Sequence, residues 1–277
     1  MGNKNNKLFF IFLTINIVIV FLFYAHTINY PWKYFDEQII YNETIFPQAK
    51  SISEIFEYIK YFGLKHHFEA SSPFYSSIAN LRSNPANTFI TMIVYYLFQK
   101  KAFLFHLLSL IFHIFNICIL FNLLYLTSEK YIKNLKSILR LTSISVLTLL
   151  WALHPLNVES ILFTANWAAL ISYFFCLLTI YYFLKRGVNS FILFLIYLFP
   201  LFTTEYSITV PLILFFYTFF NYKFETQEIS FTNCAKHSFK KIAPLLIALA
   251  IFVIYFTSSK TIENISYSTG NTVSLTL

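Results

Sequence analysis

The chain has 277 residues, 57% of them hydrophobic and 12% charged, with 35 Phe and 20 Tyr. A soluble domain carries roughly a quarter charged residues to wet its surface, so half that share on so apolar a chain excludes a soluble globule and excludes disorder. Lys+Arg 20 against Asp+Glu 12 gives a net charge of +8, which in a polytopic protein follows from basic residues gathered in cytoplasmic loops, and no basic-aromatic stripe points to nucleic acid as a partner.

A hydrocarbon core about 30 Å thick takes about 20 helical residues to cross, and apolar runs near that length set the organisation. The first, 8–25, follows Lys4 and Lys7. Tyr24, Ala25, His26 and Thr27 close it without a small-x-small cleavage pattern, so it reads as an uncleaved signal anchor. An outer loop over 26–101 comes next. Within it, Ser51-Ile52-Ser53-Glu54 has the form of a capping box. Ile52, Ile55, Phe56 and Ile59 then follow at helical spacing, which predicts a short amphipathic helix at the membrane surface. A second short helix is expected over 86–99, after Pro85. Further spans are expected at 102–126, 141–156, 168–184, 189–204, 206–222 and 242–258, with an outer tail over 259–277. The runs 189–204 and 206–222 are nearly continuous around Thr203, Thr204 and Glu205, which predicts a tight helical hairpin. The expected fold is all-α: a single polytopic membrane domain over 1–277 with about seven transmembrane helices.

Basic residues orient this plan. With the amino terminus cytoplasmic, the inner segments hold Lys4, Lys7, Lys130, Lys133, Lys136, Arg140, Lys185, Arg186, Lys223, Lys236, Lys240 and Lys241, whereas the short outer turns near 157–167 and at 205 hold none. The expected location is a multi-pass bacterial inner membrane or endoplasmic-reticulum membrane. In the second case Asn42-Glu43-Thr44 is a glycosylation sequon on the lumenal side.

The same plan gathers acids at the outer face. Asp36 and Glu37 follow the first span, Glu159 follows the third, and Glu205 lies between the fifth and sixth. A carboxylate costs roughly 2.5–3.5 kcal/mol at the centre of a span and less near the interface, so acids persist at such places where something uses them; the alternative is a solvated interfacial acid. His154-Pro155 ends the third span, and a lone histidine there is more often a helix cap than a metal ligand. His106 and His113 share one face of the second span, two turns or about 10.5 Å apart, too far for one ion. Asp36, Glu37 and an outer glutamate could gather a divalent cation, but their sequence spacing is no support for one. Cys118, Cys176 and Cys234 have no short spacing that suggests a disulfide framework or metal knuckle. No nucleotide-binding glycine loop, H-E-x-x-H or G-x-S-x-G occurs in the sequence.

In order, an acidic pair after the first span, a long outer loop, a proline-led helix, a histidine-bearing second span, His-Pro-x-x-x-Glu and a glutamate before a Pro-containing span resemble the GT-C glycosyltransferases. The likeness is to the transmembrane O-mannosyltransferase-like group that often carries tetratricopeptide repeats. The residues that carry it are Asp36-Glu37 with Asn42, Asn84-Pro85, Leu97-Phe98 through His106 and His113, His154-Pro155-Leu156-Asn157-Val158-Glu159-Ser160, and Thr204-Glu205 with Pro211. The resemblance implies a polyprenyl-phosphate sugar donor, such as a mannosyl lipid, and a protein or glycan acceptor. It implies that Asp36 is the catalytic carboxylate, with Glu37 beside it, and that His154, Glu159, Glu205 and His106 line the substrate pocket. A carboxylate in reach of the acceptor hydroxyl takes its proton as the oxygen attacks the anomeric carbon. No metal is assigned. Three departures stand out. Asn166-Trp167-Ala168-Ala169 replaces a basic run common in that group, Thr204-Glu205 replaces a Lys-Glu pair, and Val94 stands where the short loop helix carries an acid. The alternative readings are a catalytically degenerate relative that binds a lipid-linked sugar or scaffolds a partner, and a transporter.

Overall fold

The first apolar run holds neither Gly nor Pro and forms one helix, α1 (Asn3–Tyr24), which a 3-10 turn, Ala25–Asn29, closes. In this computed structural model the described residues are 3–31, 51, 53, 85–98, 101–132, 134–163, 167–186, 189–227 and 230–268. They continue as α2 (Pro85–Phe98), α3 (Ala102–Tyr131), α4 (Ser137–Ala152), α5 (Pro155–Leu162), α6 (Trp167–Arg186) and α7 (Ser190–Leu201). A second 3-10 turn (Glu205–Ile208) leads into α8 (Thr209–Thr226) and α9 (Phe231–Ser268). No strand occurs among the described residues. The amphipathic helix expected from Ser51 onward lies outside them, apart from Ser51 and Ser53 themselves, while the helix expected after Pro85 is α2.

Burial departs from that of a soluble protein in its buried polar groups and its exposed large apolar ones. Asn16, His106, Ser109, His113, Asn116 and Thr148 are buried, while Ile11, Leu22, Leu147, Leu150, Leu212, Phe216 and Ile254 are exposed. Helices that turn polar groups inward and apolar groups outward are built for lipid. Among the described residues, three stretches, Asn6–Asn29, Ala102–Tyr131 and Phe231–Thr257, are long and apolar enough to cross a membrane, and α4 with α5 makes a fourth if the bent pair is one span. The described residues are those of an all-α membrane protein.

The helices pack as two joined groups. In the first, α1, α3 and α4 close around Val20, Leu110, Ile117 and Ala152. In the second, α6 through α9 close around Leu193, Tyr197, Leu201, Leu214, Leu245 and Ala248. Packing of α3 on α6 joins them. The tight hairpin expected across Glu205 is corrected here. The turn exists, but α7 and α8 each pack on α9 more than on one another. The 3-10 turn sets the two helices apart, and Ala248 of α9, fully buried, lets α9 fill the gap.

At the end of the bundle where α3 finishes and α4 begins, ion pairs tie the helices. Lys130 Nζ lies 2.8 Å from Glu225 Oε1 and donates to Asn221 Oδ1 at 2.7 Å, joining α3 to α8. Tyr125 donates to Glu129 at 2.8 Å, and Arg140 lies 3.8 Å from that carboxylate and over the Tyr125 ring. The hydrogen bond from Lys130 holds the Glu225 carboxyl below its usual range. A depressed carboxyl stabilises the fold above its unfolded pKa of about 4.3, and that contribution is lost as pH falls through the lower folded value. Melting curves of wild type and Glu225→Gln are therefore expected to differ slightly at neutral pH and to converge in acid. A difference that persists unchanged into acid contradicts the pairing.

Candidate functional site

The most informative local structure is the break between α4 and α5, and Pro155 causes it. Proline has no N–H, so the Trp151 carbonyl loses its helical partner. The residue before a proline is also pushed out of the helical region. His154 accordingly has φ −64° and ψ 136°, and the two helices meet at a bend of 57°.

A carbonyl released inside a membrane must find another donor. Trp151 O receives the backbone N–H of His154 at 3.2 Å and the side-chain amide of Asn157 at 2.5 Å. Ala152 O lies 3.1 Å from His113 Nε2, and Tyr24 donates to it at 3.3 Å. A carbonyl oxygen only accepts, so Nε2 of His113 carries the proton. Its ring is held between Tyr24, edge-on at 5.6 Å, and Trp151, stacked at 5.6 Å.

His154 caps α5. Its Nδ1 accepts from the Leu156 N–H at 3.2 Å, which makes Nε2 the protonated nitrogen of the neutral ring. This agrees with the expectation of a helix cap. Removing a side-chain cap costs about 1 kcal/mol. His154→Ala is therefore expected to lower unfolding stability in mixed micelles by about that amount, and His154→Asn, which keeps an acceptor, by less. Equal losses in the two variants contradict the cap.

Three other expected site residues, Glu159, Glu205 and His106, lie at the same end of the bundle as this break. Glu159 is exposed on α5. Glu205 opens the 3-10 turn, which is held on two sides: Thr204 donates to Ser172 Oγ of α6 at 2.6 Å, and Tyr197 donates to the Ser207 carbonyl at 3.0 Å. His106 is buried on α3, next to Phe105, which packs with Val94 of α2 and Ile171 of α6. The backbone N–H of Ala86 at the start of α2 donates to the Phe202 carbonyl at 3.0 Å. Thus α5, the Glu205 turn, α2 and the start of α3 all flank the first turns of α6. Asp36 and Glu37 lie outside the described residues, as do Asn42 and Asn84.

Sequence reasoning assigned no supporting contact to Tyr24, Asn157, Asn16 or Asn116. Asn116 donates to Leu170 O at 2.9 Å and Asn16 to Ser145 Oγ at 2.7 Å. The signal was present for Asn116, since His106, Ser109, His113 and Asn116 repeat at helical spacing and make one polar stripe down α3. Among the described residues, no three of the His, Cys, Asp and Glu side chains gather as a metal site. No protein-family model matches the chain, and neither a curated protein nor a solved structure is significantly similar to it.

Proposed function

We propose that the protein is a membrane glycosyltransferase that moves a sugar, such as mannose, from a polyprenyl phosphate to a protein or glycan acceptor at the outer or lumenal face. The observation that carries this reading is the broken α4–α5 helix. It sets His154 and Glu159 at the same end of the bundle as the Glu205 turn, with buried side chains holding its released carbonyls. His154 Nε2–H supplies a donor for a phosphate oxygen, and Glu159 and Glu205 supply acceptors for sugar hydroxyls. Asp36, beside Glu37, takes the acceptor proton.

The membrane plan belongs to this proposal. Seven crossings, α1, α3, α4 with α5, α6, α7, α8 and α9, put the amino terminus and Lys130, Arg140 and Lys223 on the cytoplasmic side. Helix α7, with 12 residues, is about 18 Å long. Starting at the cytoplasmic surface it ends short of the outer one, which recesses the Glu205 turn below the headgroup level.

A second reading, a degenerate relative that binds the lipid-linked sugar without turning it over, is favoured by one observation. Trp167, Ala168 and Ala169 begin α6 beside the proposed site without a cation. Incubating the purified protein with a panel of polyprenyl-phosphate sugars and candidate acceptors separates the readings. Donor consumption and sugar transfer are expected. Saturable donor binding without consumption supports the second reading, and absence of both removes the lipid-sugar idea.

A further inference from the structure

Two donors converge on one carbonyl at the α4–α5 break, and both come from other helices. Ala152 O faces Nε2 of His113 on α3 and the hydroxyl of Tyr24 on α1. In an uninterrupted helix that oxygen takes the N–H of residue 156, but here the Leu156 N–H is bonded to His154 Nδ1. Either arrangement satisfies the Leu156 N–H. Pro155 already disfavours the uninterrupted arrangement, and the Ala152 oxygen of the broken one is costly to leave bare in an apolar interior. The two outside donors therefore favour the broken form.

From this we infer that His113 and Tyr24 are positioning residues that hold the α4–α5 angle and so set where His154 and Glu159 stand, a role in catalysis that rests on the transferase reading above. The ring of His113 is fixed by Trp151 on one side and Tyr24 on the other, so its Nε2–H has one direction to point. Asn157 secures the neighbouring Trp151 carbonyl from within α5 itself. That bond moves with α5, whereas the bonds from α1 and α3 anchor the bend to the rest of the bundle.

The test uses a readout independent of activity. Spin labels are placed on Leu156→Cys and Tyr206→Cys, both at exposed positions (76% and 68%), in the full chain with Cys118, Cys176 and Cys234 replaced by Ala. A narrow distance distribution is expected in the otherwise wild-type protein. His113→Leu, which removes the donor, is expected to broaden or shift it. His113→Gln, whose amide presents a donor at a similar reach, is expected to restore it. Tyr24→Phe removes only a hydroxyl and is expected to broaden the distribution less; it decides the matter if His113→Leu does not insert. In donor turnover, kcat of His113→Leu is expected to fall about 10- to 100-fold, the scale of a small misplacement, with KM nearly unchanged and kcat largely recovered in His113→Gln. An unchanged distance distribution in both His113→Leu and Tyr24→Phe overturns the inference whatever turnover does. A changed distribution in a protein that turns over no donor upholds the anchoring of the bend and counts against the transferase reading instead.

Discussion

Asp36→Asn is expected to lower sugar transfer by about a hundredfold to ten-thousandfold, the range attributed to a positioned general base, while the protein still inserts and still binds donor. Asn keeps the size of Asp and one acceptor oxygen, but its amide does not take the acceptor's proton at neutral pH. The loss should therefore fall on kcat, with donor binding retained. Glu37→Gln is expected to cost less, because a neighbouring acid shapes the field without taking the proton. Measuring both variants with the donor consumed most readily by wild type assigns the role. Equal, mild losses in the two variants would make the pair a substrate-binding feature. A severe loss confined to Glu37→Gln would move the base by one residue.

Much of the fold was legible because a bilayer imposes length. Apolar runs had to be helices, and the run expected over 102–126 appears within α3. What escaped was where helices stop. The run 141–156 was expected to continue through Pro155, yet α4 ends at Ala152, because the proline's effect reaches back to the carbonyls of the preceding turn. Likewise α9 begins at Phe231, well before the expected 242. The stretch Phe231-Thr232-Asn233-Cys234-Ala235-Lys236 is more polar than the run that follows it, but nothing in it breaks a helix.

The site was legible in its residue types and not in its supports. His154 and Glu159 stand out as ionisable groups beside a proline at a span end. Tyr24 does not stand out among 20 tyrosines, and its role depends on α1 lying against the end of α4, a contact between residues 128 apart in sequence. Asn157 is a similar case. One asparagine in the first turn of a helix has no assigned partner until the Trp151 carbonyl near it is known to have lost its own. Pairings between distant helices are set by packing, and a single sequence carries periodicity, which shows a face but not what the face meets.

Tyr197→Ala is expected to destabilise the second helix group by about 3–5 kcal/mol, the usual cost of deleting a buried aromatic ring, and to release the Glu205 turn. Tyr197 is fully buried within the cluster that α6 to α9 share, and its hydroxyl holds the Ser207 carbonyl. Tyr197→Phe separates the two contributions. It keeps the ring and drops the hydrogen bond, for an expected cost of about 1 kcal/mol. Native thiols report where the loss falls. Cys234 lies in α9 and is 1% exposed, Cys176 packs against the cluster around Tyr197, and Cys118 sits on α3 in the first group. In Tyr197→Ala, alkylation of Cys176 and Cys234 should accelerate while that of Cys118 keeps its wild-type rate. The two groups meet mainly through α3 against α6, so loosening one need not open the other. Equal acceleration at all three thiols would mean that the bundle opens as one unit. The Glu205 turn would then owe its position to the whole fold and not to the Tyr197 hydrogen bond.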